Sequence, residues 1–308
     1  MGDRVGRAGC GRKIKSAFAA FLCVLGTGVA AFPVERCMNL GGALEAPAEG
    51  DWGYVIEKQH LDRLATDGFD AIRLPVKFSQ YWDGTAMDLA LMARVDQVIG
   101  WATRAGLNVI LDLHHFEELM QDPDAHSANF IAMWAYLSDY YVDHSDKLIF
   151  ELLNEPTEAL TTDKAVALYQ KIIADLRVDH PTRWVITGGD NWNAIEPMLT
   201  MPQPSPYEVR TFHYYSPWHF THQQASYLPD PPPARDWGTD ADLAQLQADF
   251  DLAATGPAPL FLGEFGVFDA TDPDQKTNWV RAVRNAAEAR GIGWCYWGLS
   301  QGGAEGFS

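Results

Sequence analysis

Two glutamates form a pair that could do acid and base chemistry. Glu155 lies in the string Leu-Asn-Glu-Pro at residues 153–156, and Glu264 lies in Gly-Glu-Phe-Gly at residues 263–266, 109 positions further along the chain. Cleavage of a glycosidic bond needs one carboxyl group to protonate the departing oxygen and a second carboxylate to act at the anomeric carbon. Neither string is specific alone, but together they predict such a carboxylate pair.

Each glutamate follows a short apolar run of the kind that forms a buried strand. Residues 148–150 (Leu-Ile-Phe) precede Glu155, and residues 259–262 (Pro-Leu-Phe-Leu) precede Glu264. Continuous apolar runs of this length are typical of strands that are buried on both faces of a parallel sheet. Both glutamates are therefore expected where a parallel strand ends and its loop begins.

Short apolar runs alternate with helical patterns from residue 37 onwards, which indicates repeated βα units and a parallel sheet. One helical pattern covers residues 88–105 and stops at Gly106, and another is opened by Asp272-Pro273. Eight strand candidates are present, at residues 37–40, 71–75, 108–113, 148–153, 184–187, 209–214, 259–262 and 293–297.

Eight parallel strands with helices between them predict an α/β fold, the (β/α)8 barrel, whose active site lies at the carboxyl ends of the strands. On this fold Glu155 ends the fourth strand and Glu264 ends the seventh, so their side chains face each other across the barrel mouth. The last helix is expected to be missing, because only eleven residues follow Trp297 and they are rich in glycine.

The start of the chain has the features of a targeting segment. Basic residues between Arg4 and Lys15 precede an apolar run at residues 17–29, and Ala30 and Ala31 offer small residues to a signal peptidase. A cytoplasmic protein with an apolar first helix is the alternative. We expect a signal peptide over residues 1–31, a single catalytic barrel domain over residues 32–308, and a secreted protein, either extracellular or periplasmic.

The charge of the chain excludes some classes of partner. The net charge is −18, and loss of residues 1–31, which carry five basic residues and one acidic residue, would make it −22. Such a surface repels nucleic acid and anionic membranes. The aromatic content of 12%, with 11 tryptophans, suits a sugar substrate, since sugar rings have apolar faces that stack on aromatic rings. An ordinary apolar core explains many of these aromatics equally well.

Two of the four cysteines, Cys37 and Cys295, lie outside the expected signal peptide. They fall on the first and last predicted strands, which are neighbours in a closed barrel. A disulfide between them is one reading, but its geometry cannot be derived from a sequence. Two buried free thiols are the favoured expectation.

The predicted strand ends also supply polar and aromatic residues that would support a carboxylate pair. An arginine or a tyrosine hydroxyl near Glu264 would keep it ionised, while a more apolar pocket would raise the pKa of Glu155. An asparagine could hydrogen-bond a sugar hydroxyl, and a tryptophan could stack on the sugar ring. These residues are Arg73, His114, His115, Asn154, His213, Tyr215 and Trp297.

Other readings of neighbouring residues stay open at this point. Asp112, His114 and His115 could be zinc ligands, or the two histidines could be plain loop residues. Glu151, inside the fourth strand, is expected to pair with a buried partner. Four residues in the strand-end loops could either line outer sugar sites or pack in the cleft wall. They are Trp192, Trp218, His219 and His222.

The order of these motifs resembles glycoside hydrolase family 5. The resemblance runs from about residue 38 to residue 297 and includes the two glutamate strings, Ile-Arg-Leu-Pro, Leu-Asp-Leu-His-His, Phe-His-Tyr-Tyr and Tyr-Trp-Gly. Residues 39–45, 50–53 and 220–223 look most like the bacterial endo-β-1,4-glucanase branches of that family, some of which also cut mannan.

The resemblance implies a role for each site residue. Glu155 would be the general acid and base, and Glu264 the nucleophile of a retaining mechanism that uses no metal or other cofactor. His115 and Glu45 would contact the neighbouring sugar. The residues that would complete the reacting subsite are Arg73, His114, Asn154, His213, Tyr215 and Trp297.

The expected function is therefore that of a secreted, monomeric endo-β-1,4-glucanase acting on β-glucan. A β-mannanase or a mixed-linkage glucanase is the nearest alternative. A non-catalytic polysaccharide-binding barrel is a more remote one. A retaining mechanism requires carboxyl groups about 5 to 5.5 Å apart.

Overall fold

The computed structural model describes residues 30–299, and its eight strands form a closed parallel barrel in sequence order. Strand β8 pairs with β1 and closes the barrel. The (β/α)8 prediction is confirmed, and every predicted strand overlaps an observed one. The strands are β1 (Arg36–Asn39), β2 (Ala71–Val76), β3 (Asn108–Leu113), β4 (Leu148–Glu151), β5 (Val185–Gly188), β6 (Glu208–His213), β7 (Leu260–Phe265) and β8 (Gly293–Tyr296).

Helices surround the barrel and also occupy several of the strand-end loops. A short 3-10 helix, Phe78–Tyr81, follows β2. The helices are α1 (Lys58–Thr66), α2 (Leu89–Arg104), α3 (Glu117–Gln121), α4 (Pro123–Tyr140), α5 (Thr162–Asp179), α6 (Asp190–Asn193), α7 (Ile195–Thr200), α8 (Trp218–Thr221), α9 (Asp240–Ala253) and α10 (Pro273–Glu288).

Side-chain caps fix where the longer helices begin. The Asp88 carboxylate accepts hydrogen bonds from the first backbone amides of α2, and the Asp272 carboxylate does the same for α10. These amides have no partner within the helix, so a capping carboxylate stabilises the helix start. Pro273 fits the first turn of α10 because its missing N–H is not needed there.

The inside of the barrel has an apolar layer near the amino ends of the strands, which we call the floor. Its residues pack against one another without polar side chains, and most are completely buried. Two residues further along several strands the inward side chains become charged or polar, and we call this layer the mouth. The floor contains Cys37, Ala71, Ile110, Ile149, Ile186, Val209, Phe261 and Cys295. The mouth contains Asn39, Arg73, Asp112 and Glu151 at these positions, together with His213 at the end of β6, Glu264 on β7 and Glu155 in the loop after β4.

An irregularity in β7 brings Glu264 to the mouth. The register between β6 and β7 shifts after Phe212, so that His213 pairs with Glu264, and the register between β7 and β8 shifts between Leu262 and Phe265. A β-bulge of this kind adds a residue to one strand and re-aims the side chains that follow. Glu264 can therefore face inward although the preceding inward position is already taken by Gly263.

Cys37 and Cys295 form a disulfide inside the floor, so the expectation of two free thiols was wrong. The two residues are direct partners in the pairing of β1 with β8, and their Cα atoms lie 4.1 Å apart. Inward-facing neighbours at the same level of a barrel have converging side chains, which explains why the pair can bond. The disulfide joins the first and last strands of the barrel.

The predicted signal peptide, residues 1–31, lies outside the described residues except for Ala30 and Ala31, so it stays a prediction. Residues 31–299 form one compact unit. Between residues 30 and 299, no helix follows β8. In the same range, none of the helices combines the length and the apolar character that crossing a membrane requires.

Candidate active site

His213, at the end of β6, lies between the two predicted catalytic glutamates. Its Nδ1 atom is 2.8 Å from Oε1 of Glu155 and 3.5 Å from Oε2 of Glu264. One oxygen of each carboxylate and the histidine nitrogen all lie within 4.8 Å of one another. This spacing suits a carboxylate pair that acts on one sugar carbon from two sides, since retaining glycosidases hold their carboxyl groups about 5 to 5.5 Å apart.

Both oxygens of the Glu264 carboxylate accept hydrogen bonds. The Arg73 guanidinium donates to Oε1 over 2.7 Å, and the Tyr215 hydroxyl donates to Oε2 over 3.0 Å. Arg73 is completely buried on β2, whereas Tyr215 follows β6 in the loop. A cation and a hydroxyl donor both favour the charged form of a carboxylate, as the sequence predicted for this glutamate.

Arg73 also organises the rest of the mouth. It makes two hydrogen bonds to Glu151, over 2.7 and 2.9 Å, and an ion pair with Asp112 over 2.9 Å. It further donates to the side-chain oxygen of Asn154 over 2.7 Å. The expectation that Glu151 pairs with a buried partner is confirmed. Because one cation serves three buried carboxylates, no two of them face each other without a counter-charge.

His114 and Trp297 lie together on the other side of the mouth. Their rings stack with centroids 5.5 Å apart and an angle of 11° between the planes, and Nδ1 of His114 is 2.6 Å from Asp112. Gly41 makes room for the indole, since a Cβ atom at that position would lie 2.6 Å from Trp297. The tryptophan therefore lies in the mouth with its ring plane parallel to His114, and its predicted stacking on a sugar ring stays a prediction.

His115 and Glu45 lie further from the carboxylate pair. The His115 ring contacts His114 edge to face, with ring centroids 4.5 Å apart. The Glu45 carboxylate accepts hydrogen bonds from the backbone amides of Gly42 and Ala43 in its own loop, and burial raises the pKa of Glu45 to about 7. Their predicted contacts with a neighbouring sugar stay predictions.

Aromatic side chains extend the site outward from the mouth. Trp218 stacks on His222 with centroids 5.1 Å apart, and His222 lies 5.4 Å from the Tyr215 ring. Trp192 and Tyr227 are more than half exposed. These rings offer surfaces to a chain longer than one sugar.

Burial raises the pKa of both glutamates. The pKa of Glu155 is raised to about 7 mainly because its carboxyl group is removed from water. Burial and the charge of Glu155 also raise the pKa of Glu264, but His213, Arg73 and Tyr215 act in the opposite direction. Since Glu264 accepts hydrogen bonds at both oxygens, we assign the first proton shared by this coupled pair to Glu155.

The three candidate zinc ligands of the sequence are neighbours, but they do not have the spacing of a metal site. Over residues 30–299, no ligand cluster forms from Asp112, His114 and His115. The Asp112 carboxylate is paired with the Arg73 guanidinium and contacts Nδ1 of His114. The group with the spacing of a cation site is instead the carboxylate pair with His213. Arg73 already supplies a positive charge to this group, which disfavours a second cation there.

The structure adds residues that the sequence analysis did not identify. Asn39 accepts a hydrogen bond from Arg73 over 3.0 Å and donates to the backbone of Gly263 over 3.1 Å. Asn193 lies beside His213, with 3.3 Å between Nδ2 and Nε2. A polar residue at an inward position of β1 was a usable signal for Asn39. The loop position of Asn193 carries no such signal.

A carboxylate pair at the ends of β4 and β7 of a (β/α)8 barrel is an arrangement that glycoside hydrolases use, and comparison with known proteins agrees. Residues 33–303 match the model of the cellulase family, glycosyl hydrolase family 5. The chain therefore belongs to glycosyl hydrolase family 5 and is a glycoside hydrolase.

Individual relatives are similar over most of this chain. Endoglucanase H of Acetivibrio thermocellus is 30% identical over 84% of the chain, which spans only 29% of that relative's length. The Clostridioides difficile cellulose synthase subunit Z has a TM-score of 0.83 and 34% identity, over 87% of this chain and 93% of the other. Thermotoga maritima Cel5A, solved with cellobiose, has a TM-score of 0.83 and 32% identity, over 88% and 91%.

Proposed function

We propose that this chain is a secreted, retaining endo-β-1,4-glucanase that hydrolyses internal β-1,4 bonds of a β-glucan. The observation that carries the proposal is the placement of Glu155 and Glu264 around His213, with one oxygen of each within 4.8 Å of the other. Membership of family 5 and relatives named endoglucanase support the same activity. In this proposal Glu155 is the general acid and base, and Glu264 is the nucleophile.

The first step forms a covalent glycosyl-enzyme. Glu264 Oε attacks the anomeric carbon, and the bond from that carbon to the glycosidic oxygen breaks. Glu155 gives its proton to the departing oxygen, so the leaving chain departs as a neutral alcohol. Arg73 and Tyr215 keep Glu264 ionised before the attack, and the raised pKa of Glu155 keeps its proton in place until it is needed.

The second step returns the enzyme to its starting state. Glu155, now ionised, takes a proton from a water molecule, and the water oxygen attacks the anomeric carbon and releases Glu264. The configuration of the sugar is inverted twice and so is retained. Trp297 would stack on the reacting ring, Asn154 would bind its 2-hydroxyl, and His114, His115 and Glu45 would hold the ring and its neighbour.

A second substrate class is a mannan or glucomannan. The Thermotoga maritima Cel5A structure has also been solved with mannotriose, with 32% identity to this chain and a TM-score of 0.82. The half-exposed Trp218 ring stacks on His222 beside Tyr215 and would offer an aromatic face to a sugar of either class. A mixed-linkage glucan is a third substrate that fits the same open mouth.

Trapping of the covalent intermediate would test the assignment. A 2-deoxy-2-fluoro-β-cellobioside with a dinitrophenyl leaving group should inactivate the enzyme, because the fluorine slows the second step. Mass spectrometry of the digested protein should then find the fluorosugar on the peptide that contains Glu264. An adduct on Glu155, or turnover without any adduct, would contradict the roles proposed. The exposed Glu196→Gln variant on α7 is the matched control and should be labelled like the wild type.

Product analysis would identify the substrate. We expect carboxymethylcellulose and barley glucan to yield mixed oligosaccharides early in the reaction. Release of mannose oligomers alone from a glucan and mannan panel would exclude the cellulase assignment, and glucose as the sole early product would indicate an exo-acting enzyme. No turnover of any member of the panel would favour a non-catalytic binding barrel.

Secretion as a monomer is part of the proposal. The basic, apolar and small-residue order of residues 1–31 supports export followed by cleavage after Ala31. Amino-terminal sequencing of protein recovered from the periplasm or the medium should begin at Phe32, and gel filtration should give one chain per particle. Protein recovered only from the cytoplasm with Met1 intact would contradict export.

A further inference from the structure

The short segment α6 after β5 is a left-handed turn, not a right-handed helix, and it lies next to the loop that carries Glu155. Asn191, Trp192 and Asn193 have φ values of 54°, 59° and 55°. Side chains other than glycine disfavour this region by roughly 1–2 kcal/mol per residue, although asparagine tolerates it best. The Trp192 amide donates to the carbonyl of Pro156 over 3.2 Å, so the turn is tied to the residue that follows Glu155. Three such residues in succession persist only where the surroundings hold them.

The turn places the Asn193 amide against the imidazole of His213. Asn193 is completely buried, and its Nδ2 atom lies 3.3 Å from Nε2 of His213. Two glycines make the space for this contact. A Cβ atom at Gly188 would lie 2.0 Å from Oδ1 of Asn193, and one at Gly263 would lie 2.9 Å from Nε2 of His213.

In this orientation of the Asn193 amide, its Nδ2 atom faces the ring and Oδ1 has no hydrogen-bond partner among the described residues. An amide nitrogen can only donate, so Nε2 of His213 must accept and carries no hydrogen. At the other end of the ring, Nδ1 lies 2.8 Å from Oε1 of Glu155 and 3.5 Å from Oε2 of Glu264. Carboxylate oxygens favour an N–H facing them. The two ends of the ring therefore favour the same neutral tautomer, with the proton on Nδ1.

We propose that Asn193 is a positioning residue that fixes the Nδ1–H tautomer of His213, so that His213 donates to Oε1 of Glu155 and the acid proton of Glu155 stays on its other oxygen. This inference rests on the proposed role of Glu155 as the general acid. In the opposite tautomer, Nδ1 would be an acceptor, and the proton of Glu155 would be drawn toward His213 rather than toward the leaving oxygen.

The same tautomer serves both steps of the reaction. While Glu155 is protonated, the Nδ1–H bond occupies the oxygen that does not carry the proton. After Glu155 has given its proton away, the same bond stabilises the resulting carboxylate until water is deprotonated. A neutral His213 with hydrogen on Nδ1 also has no lone pair to offer a cation between the two carboxylates.

Several charged groups face His213 besides the glutamate pair. Burial lowers the pKa of His213 to about 4, while Glu264 and Glu151 act to raise it and Arg73 lowers it further. The neighbouring His114 is neutral as well, because burial holds its pKa well below the ordinary value. A neutral imidazole at working pH is what the contact with Asn193 requires, since a protonated ring would present a second N–H to the amide.

Nitrogen NMR on the full chain labelled at histidine would observe the tautomer directly. The His213 resonances, assigned by their loss in His213→Gln, should show a protonated Nδ1 and an unprotonated Nε2 at pH 6. A protonated Nε2 in the wild type, which corresponds to the reverse orientation of the Asn193 amide, would overturn the proposal. This result does not depend on which substrate is cut, so it is separable from failure of the proposed function.

Two variants of Asn193 test the consequence for catalysis. Asn193→Asp keeps the shape of the residue but replaces the donor with an acceptor, so the proton should move to Nε2. We expect kcat/KM on unsubstituted cello-oligosaccharides to fall about 100-fold, the contribution typical of general acid catalysis. On dinitrophenyl cellobioside, whose leaving group needs no proton, the first step should be nearly unaffected. Asn193→Gly tolerates the positive φ and removes the whole side chain without placing an acceptor beside His213, so its loss of kcat/KM should be smaller.

Asn191→Asp is the matched control, because it makes the same substitution two residues earlier in the same turn at an exposed position. It should leave kcat/KM on both substrates and the pH profile unchanged. Equal losses on the two substrates in Asn193→Asp, with an unchanged alkaline limb of the pH profile, would show that Asn193 has only a structural role. Circular dichroism and melting temperature would establish that each variant is folded.

Discussion

The floor and the mouth are adjacent layers of one barrel, yet they are held together by different forces. The floor is filled by apolar side chains and one disulfide, and its residues have no polar group to satisfy. The mouth, two residues further along the strands, buries Arg73 among Asp112, Glu151 and Glu264. Burial of charge costs free energy unless every charge is paired, so the mouth is built for chemistry and the floor supplies stability.

The two layers should therefore respond differently to substitution. Changes in the floor should lower the free energy of unfolding and leave the turnover of folded molecules intact. Changes at Glu155 or Glu264 should lower the turnover and leave the free energy of unfolding nearly unchanged. Arg73 should affect both activity and stability, because its charge acts to lower the pKa of Glu264 and also balances the buried carboxylates around it.

The largest effect is expected for Glu264→Gln in the mouth. The amide cannot act as the nucleophile, so kcat should fall by at least about 10⁴-fold, or about 5.5 kcal/mol in the barrier. Stability should hardly change, since the amide oxygen can still accept one hydrogen bond. Initial rates on barley glucan and urea unfolding would measure both. Residual activity above one hundredth of the wild-type activity would contradict the assignment of Glu264 as the nucleophile.

Arg73→Met should have the largest effect on stability. It leaves three buried carboxylates without their cation, and we expect the free energy of unfolding at pH 7 to fall by about 4 kcal/mol. The loss should shrink at low pH as those carboxyl groups protonate. Arg94→Met, which removes a partly exposed partner of Glu49, is the control and should cost about 1 kcal/mol. Similar losses of unfolding free energy in the two variants would mean that the buried charges of the mouth contribute no more than a partly exposed ion pair.

Phe261→Ala tests the floor. Removal of this fully buried ring should lower the free energy of unfolding by about 3 kcal/mol through lost burial and the cavity left behind. Phe261→Leu should cost less because it fills more of the space. The turnover of the folded fraction, measured well below the melting temperature, should stay within about twofold of wild type. A selective loss of turnover would show that the floor also tunes the chemistry.

Reduction of the Cys37–Cys295 disulfide should have a smaller effect on the same layer. The bond links residues 258 apart, and its removal should lower the free energy of unfolding by about 2–3 kcal/mol. A reductant should lower the melting temperature of the wild type but not that of a Cys37→Ala, Cys295→Ala double variant. If the wild type does not respond to reductant while both thiols become free, the disulfide does not stabilise the barrel closure.

Counted per pH unit, the smallest expected effect is the pH dependence of activity in the mouth. Burial raises the pKa of Glu155 to about 7, and the acid must be protonated, so activity should be lost as pH rises through about 7. Above that pH the rate should fall about tenfold per pH unit. The acidic limb reports protonation of Glu264, and the two limbs belong to the coupled pair. A flat profile from about pH 4 to 9 would contradict this account.

Much of the barrel could be predicted because its signals are local. Apolar runs and the helix boundaries at Asp88 and Asp272 follow from residue type and order alone. The same apolar runs placed Glu155 after the fourth strand and Glu264 at the end of the seventh. Short helices such as α7 and α8 were not predicted, since four to six residues carry too little periodicity.

The contacts that sequence could not provide depend on register and on loop conformation. The β7 bulge that turns Glu264 inward leaves no local trace, and the pairing of Cys37 with Cys295 depends on the register of strands 258 residues apart. Asn193 reaches His213 only because its turn is left-handed, and such a turn is unexpected for three residues other than glycine. These features arise from the closed barrel as a whole.

The central claim is that the mouth holds Glu155 and Glu264 at the separation of a retaining enzyme. Proton NMR of the first products from a β-1,4 cello-oligosaccharide, recorded before mutarotation, tests it directly. We predict that the β-anomer appears first and the α-anomer grows in later. An α-anomer that appears first would mean direct attack by water and would contradict the account.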